Sequence, residues 1–327
     1  MRCVAVLYNE PSAASDPAET DVLAQVEAVV DALTDVGEIV TIGVTLDLAA
    51  LDEVLARRRP DVVFNLVEAL GGSDRLGTLV PLLLDARRIP YTGAGLIAQL
   101  GLADKVVAKA RLRAAGLPTP DWYVAGTPCS FPGSGAYIVK ARQEHASLGM
   151  DDDAIAQATA ASDLEAAIKG RAQDFATPFF AERFVSGREF NLALLQGEDD
   201  SVEVLPPAEI DFSAFADDKP RIVGWDAKWS EGSFEYDCTP RRFDFPAEDA
   251  ALLDRLRDLA RDAWDLFGLS GYARVDFRVD EAGRPWILEL NFNPCLSPDA
   301  GFAAALGRAG ISFEDAIGRL IATATAS

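Results

Sequence analysis

The order of apolar and polar positions predicts an alternating α/β chain. Residues 3–8 form a short apolar run that reads as a buried strand, and Val22, Val26, Val29, Val30 and Leu33 then recur on one helical face. Residues 38–44 read as a second strand, 48–58 as a helix and 61–66 as a third strand. That βαβαβ order implies a parallel sheet covered by helices, since parallel neighbours need a crossover that returns the chain to the same end. A helix over 75–88, a short strand over 89–92 and a helix over 103–115 follow, the last stopped by Gly116, Pro118 and Pro120.

From Tyr137 the texture changes to strand, loop, helix, strand. YIVK ends at Lys140 and leads into the small-residue loop ARQEHASLGM; Ser162 with Glu165 predicts a capping box for a helix running to Asp174. FFAERFV and EFNLALL read as strands joined through Gly187. The final third holds an aromatic, charged loop over 225–240, a long helix over 248–267 and a hairpin with arms 272–279 and 285–292. Three subdomains are expected, over 1–104, 105–187 and 188–327.

Composition narrows what such a chain can bind. At 327 residues it exceeds one ordinary core, and 49% apolar with 25% charged residues suits a fully globular fold. A formal charge of -22 repels nucleic acid and anionic membrane, which leaves a small molecule as the expected partner. Cys3, Cys129, Cys238 and Cys295 form no C-x-x-C pair, so a disulfide framework or zinc ribbon is disfavoured and a cytoplasmic setting expected. No apolar run has the length of a signal-peptide core or a membrane span. With His145 the sole histidine, a His-rich metal site is excluded and a Ser-His-Asp or Cys-His centre would need that one residue.

The hairpin carries the strongest chemical signal. Val275, Phe277 and Val279 alternate with Arg274, Asp276 and Arg278, while Trp286, Leu288, Leu290 and Phe292 alternate with Ile287, Glu289 and Asn291. A tight turn at Ala282 and Gly283 matches the apolar faces and sets Asp276 opposite Glu289 and Arg274 opposite Asn291. Opposed carboxylates repel unless a positive charge lies between them. Two acids and an amide oxygen suit Mg²⁺, which also takes phosphate oxygens; the bland alternative is a solvated face neutralised by Arg274 and Arg278.

Other signals are weaker by themselves. Lys140, followed by a loop with Ser147 and Gly149, can set an ammonium and backbone N–H groups around phosphate, although strand-end lysines commonly reach only solvent. No P-loop motif occurs. Gly93 and Gly95 match a loose G-x-G-x-x-A dinucleotide fingerprint, but the expected acid-ended strand is missing downstream. Cys295 has no general base positioned by sequence and reads as a packing residue.

Taken in order, DVVFNLVEALGG, IPYTGAG, AAGLPTP, YIVKARQEHASLGM, FFAERFVSGREFNLALL, WDAKW, RVDF and ILELNFNP resemble the ATP-grasp ligases of the D-alanine:D-alanine ligase family. The resemblance implies a substrate-side α/β domain followed by two subdomains that clasp ATP. It implies that Lys105 and Lys140 hold ATP phosphates and that Ser147 and Gly149 belong to the phosphate loop. Glu182, Arg183, Phe184 and Val185 would line the adenine, Glu189 would hold the ribose, and Lys228 would reach the γ-phosphate from a lid. Asp276, Glu289 and Asn291 would bind Mg²⁺ or Mn²⁺, Arg274 would face the reacting carboxylate, and Glu19 falls where a substrate-orienting acid is expected. The family also suggests a homodimer.

Several positions depart from the family pattern. Ala146 precedes Ser147 where dipeptide-forming members carry a Ser-Ser pair, Trp229 stands for a tyrosine, Ala300 for a serine and Cys295 for a glycine. The first loop reads Asn9-Glu10-Pro11-Ser12 instead of opening on glycines. The expected function is therefore an ATP-dependent carboxylate-amine ligase working through an acylphosphate, with an altered amino-acid pocket. The alternatives are a nucleotide-binding relative without catalysis and an NAD-dependent oxidoreductase built on Gly93 and Gly95.

Overall fold

The structure is a computed structural model and describes residues 2–11, 17–34, 36–127, 130–144, 146–197 and 199–326. Ser12, Cys129 and His145 lie outside the described residues. The first sheet contains β1 (Arg2–Asn9), β2 (Gly37–Val44) and β3 (Val62–Asn65), parallel in the order β2-β1-β3. Both of its faces are covered, so β1 is apolar at successive positions. Val4 and Val6 pack with Val29, Ile317 and Leu320, while Ala5 and Leu7 pack with Leu51, Leu55 and Leu84. One cover is thus the C-terminal helix Phe313–Ala326.

Two expected elements here differ. The helix over 75–88 is divided at Thr78 into Asp74–Gly77 and Leu79–Arg87, and the strand over 89–92 shrinks to one bridge between Tyr91 and Val63. Gly93 packs against Gly271, where an added Cβ would stand 2.9 Å from Gly93, and neither Gly93 nor Gly95 lines the main cavity. The G-x-G-x-x-A match therefore marks a close backbone approach.

The second sheet holds β4 (Trp122–Tyr123), β5 (Gly135–Ala141), β6 (Ile155–Ala158) and β7 (Phe179–Arg183), antiparallel in the order β4-β7-β5-β6. Helix Ala161–Asp174 covers it through Leu164 and Ile168. The capping residues differ from the Ser162 and Glu165 pair: Asp163 accepts from the Thr159 and Ala160 N–H groups at 2.8 and 3.0 Å. Glu165 instead accepts from the Tyr123 hydroxyl at 2.9 Å.

The third sheet comprises β8 (Arg188–Gln196), β9 (Val202–Val204), β10 (Ala208–Ile210), β11 (Arg241–Arg242), β12 (Tyr272–Val279) and β13 (Pro285–Asn291). Its order is β11-β10-β8-β12-β13, with β9 also on β8. Phe190, Leu192, Val275 and Phe277 point into a core shared with Leu256, Leu259 and Phe267 of helix Ala250–Phe267. Each such burial is worth about 1.5–3 kcal/mol. The opposite face is polar.

The hairpin keeps the expected polar partners by an unexpected route. Its turn is a three-residue loop: Asp280 N–H donates to Arg284 O at 3.0 Å and Gly283 N–H to Asp280 O at 2.9 Å. That register pairs Phe277 with Ile287, and a shift beside Asp276 then restores Asp276 opposite Glu289 and Arg274 opposite Asn291. Ile287 consequently enters the core, whereas Trp286 donates to Asp280 and Leu288 lines the cavity, unlike the apolar face expected for Trp286 and Leu288.

Candidate active site

A cavity of about 410 Å³ is lined by the second and third sheets, the 222–241 segment and the Ala18–Asp21 and Glu68 region. Its floor follows from the period-2 alternation of β8, β12 and β13. Asp276 lies in register with Asn191 on one side and Glu289 on the other; Arg274 pairs with Asn291, and Arg278 with Glu189. Since cross-strand partners share a face, these polar groups gather while Phe190, Val275 and Leu290 go to the core.

The charges on that floor are closely paired. Arg274 donates to both Asp276 oxygens at 2.7 and 2.9 Å, and Asn191 Nδ2 donates to Asp276 Oδ1 at 2.8 Å. Asp276 and its neighbours hold Arg274 above the usual arginine range despite its burial. Arg278 meets Glu189 at 2.9 Å, so of the two arginines weighed for neutralising the hairpin acids only Arg274 contacts Asp276. Burial nevertheless pushes the Glu189 carboxyl up, with Arg278 opposing.

Asp276, Glu289 and Asn291 all line the cavity. Two carboxylates and an amide oxygen from adjacent strands fit a hard divalent cation, which needs few protein ligands when phosphate and water supply the rest. Arg274 already engages both Asp276 oxygens, so a cation there would compete with that pair.

The second sheet supplies the facing wall. Lys140 Nζ lies 2.7 Å from Glu182 Oε1, and Lys109 Nζ is 2.5 Å from Glu182 Oε2. Burial alone would favour neutral forms, but the two ammonium groups hold Glu182 low, and Glu182 with Glu289 holds Lys140 high. Lys109, on helix Lys105–Ala114, is pushed down to about 8 by burial. Glu182, Arg183, Phe184 and Val185 line the cavity beside Ile138, Ile222 and Leu288, an apolar slot. The Arg183 guanidinium turns toward Ser134 O at 3.0 Å.

The 146–150 loop and the 225–240 segment meet over this wall. Ala146, Ser147 and Gly149 all have positive φ, and a Cβ on Gly149 would stand 3.0 Å from Phe175. Ser147 Oγ donates to Val223 O at 3.0 Å, and Trp229 Nε1 donates to Ala146 O at 3.1 Å. Two short helices, Trp225–Trp229 and Phe234–Asp237, stand where a loop was expected. Lys228 lines the cavity, its pKa lowered by burial and by Arg274.

Three expected residues stand outside the cavity lining. Lys105 donates to Glu144 O at 2.7 Å and lies 3.4 Å from Glu289, behind the hairpin. Gly149 packs on Phe175, and Glu19 sits on the short helix Pro17–Thr20. The acids that do line the cavity there are Asp21 and Glu68, which the sequence reading missed. Asp21 accepts from Ser297 Oγ at 2.9 Å and Cys295 Sγ at 3.0 Å, and Gln25 Nε2 donates to Asp21 at 3.1 Å and Glu68 at 3.3 Å. Burial and Asp21 push the Cys295 thiol up, so it is an inert donor. Asn191 was detectable, since it follows Glu189 by two on one strand; the Asp21 cluster joins residues some 270 positions apart and left no local signal.

Comparison with known proteins agrees with this arrangement. A family model described as the D-ala D-ala ligase C-terminus matches residues 131–322. The D-alanine–D-alanine ligase of Pseudomonas putida is 31% identical over 335 residues, covering 99% of this chain and 93% of its own. That of Methylococcus capsulatus is 32% identical over 280 residues, covering 83% and 81%. The crystal structure of the Bacillus anthracis D-alanine–D-alanine ligase complexed with ATP superposes with a TM-score of 0.72 at 19% identity, covering 99% and 97%. An ATP-grasp fold with this cleft, matched along nearly its whole length, belongs to the D-alanine–D-alanine ligase family of ATP-dependent, amide-forming ligases.

Proposed function

We propose that this ligase activates a carboxylate as an acylphosphate and joins it to an amine other than D-alanine. What carries the reading is the division of one cavity: Lys140, Lys228, Asp276, Glu289 and Asn291 line it with Ile138, Ile222 and Leu288, while Ala300 and Cys295 line it beside Asp21 and Glu68. The first set suits ATP. The second lacks the serine hydroxyl found in dipeptide-forming members.

In this reading the apolar slot takes the adenine, Glu189 the ribose, and Lys140 and Lys228 the phosphates, with Lys105 supporting Glu289 from behind. Asp276, Glu289 and Asn291 would hold Mg²⁺, which offsets phosphate charge when bound. A substrate carboxylate oxygen attacks the γ-phosphorus and ADP departs. The amine nitrogen then attacks the acyl carbon, Arg274 stabilises the oxyanion, and phosphate leaves with the C–O bonding pair as the nitrogen loses a proton. Trp229 and the phosphate loop keep water from the acylphosphate. No protein nucleophile is needed.

The test is ADP release over a panel of carboxylates and amines, with D-alanine alone as the reference. The expected outcome is slow or no turnover on D-alanine alone and faster turnover on a mixed pair. D-alanine alone outpacing every other pair would overturn the altered pocket.

A further inference from the structure

Strand β11 places two consecutive arginines on opposite faces of the third sheet, and among the described residues only Arg242 is in an ion pair. Arg242 pairs with Glu209 at 2.7 Å, within a cluster that also holds Arg188 and Asp249. Arg241, in register with Ile210 and through it with Glu189, shares the cavity face with them. Among the described residues it makes no ion pair; its one hydrogen bond donates to Asp299 O at 3.2 Å.

That guanidinium stands where the family's hydroxyl is missing. A Cβ on Gly301 would lie 3.1 Å from Arg241 Nε, so the arginine lies against the Ala300–Gly301 backbone, and all three residues line the cavity. Water reaches it through the open cleft, yet surrounding protein and the neighbouring Arg274 lower its pKa. Two guanidinium groups face one volume, and Arg241, although the Asp299 carboxylate on the same cavity wall opposes the lowering, is held in no ion pair among the described residues, so its donors are free to receive an anion. A planar fork of donors matches a carboxylate in a way that a single hydroxyl cannot.

We infer that Arg241 is a specificity-determining residue that receives the carboxylate of the amine substrate, in place of the hydroxyl absent at Ala300. This rests on the ligase reading above and names its acceptor class: an amine that carries a carboxylate, held farther from Ala300 than a hydroxyl would hold it. An acceptor larger than alanine fits that geometry.

The experiment compares amino-acid acceptors with their carboxamides in wild type, Arg241→Ala, Arg241→Lys and Arg241→Ala with Ala300→Ser. Readouts are steady-state ADP release and calorimetric binding of the same compounds to protein holding ADP and Mg²⁺. Wild type should prefer the carboxylates. Arg241→Ala should raise their KM and Kd by about tenfold to a hundredfold, the range for a lost charge-assisted hydrogen bond, while carboxamide binding, ATP KM and thermal unfolding stay put. Arg241→Lys should fall between, and Ala300→Ser should recover part of the loss, shifted toward smaller acceptors. Equal effects on acid and amide, a shift in ATP KM instead, or wild type that binds no carboxylate would overturn the inference. Absence of ADP release with every pair would sink the ligase reading, and the binding arm would still decide the role of Arg241.

Discussion

The end of the cleft around Lys140 and Asp276 and the end around Ala300 are made by different means. The first is written on strands: β5, β7, β8 and β12 alternate, and β13 does so on either side of its register shift, so one face collects charge and the other packs. Its groups are buried in pairs, such as Lys140 with Glu182 and Arg278 with Glu189. The second is written mostly outside strands, Asp21, Glu68, Cys295 and Ala300 coming from turns and loops across the chain and only Arg241 from the two-residue edge strand β11, and these residues come together only in the folded cleft. Strand geometry ties each residue at the first end to several neighbours, whereas a segment-built end can change one contact at a time. On the proposed reading, chemistry common to the family is kept at the first end and substrate choice is varied at the second.

The sharpest test of that contrast is Glu289→Gln. It should cost about a hundredfold to a thousandfold in kcat with every acceptor, as for loss of a main electrostatic element, while thermal unfolding changes little. Near-normal ADP release would break the assignment of the hairpin. Lys140→Ala should weaken ATP by about tenfold to a hundredfold regardless of acceptor. An unchanged nucleotide Kd would reduce Lys140 to a structural partner of Glu182.

Trp229→Phe probes the seam between the two ends. It removes a hydrogen bond to Ala146 O worth about 1 kcal/mol, so proteolysis within 225–240 should accelerate several-fold, and nucleotide with Mg²⁺ should restore less protection than in wild type. Identical cleavage of the two proteins would argue against closure there.

The smallest effect concerns Glu68, which water reaches through the open cleft but whose carboxyl is pushed from 4.5 up to about 7 by the protein around it and by Asp74 and Asp21. A raised carboxyl contributes stability that is full below about 4.5 and is lost as pH rises through about 7. Glu68→Gln should therefore flatten the fall in melting temperature across that window, and parallel curves for the two proteins would place the titration elsewhere.

The chain by itself determined the parallel first sheet, the two-faced third sheet and the opposition of Asp276 and Glu289, because alternation and helical spacing act between near neighbours. Even there the route was hidden: a three-residue loop and a register shift together restore the pairing that a simpler turn would have produced. Only the tertiary structure decided that helix Phe313–Ala326 closes the first sheet, that Lys109 shares Glu182 with Lys140, and that Asp21 meets Cys295 and Ser297. It also decided that Arg241 faces the cavity while Arg242 faces Glu209, since two adjacent arginines read alike until the sheet gives each a side. Periodicity carries which face a residue belongs to; what stands across from that face depends on long-range packing that no local pattern records.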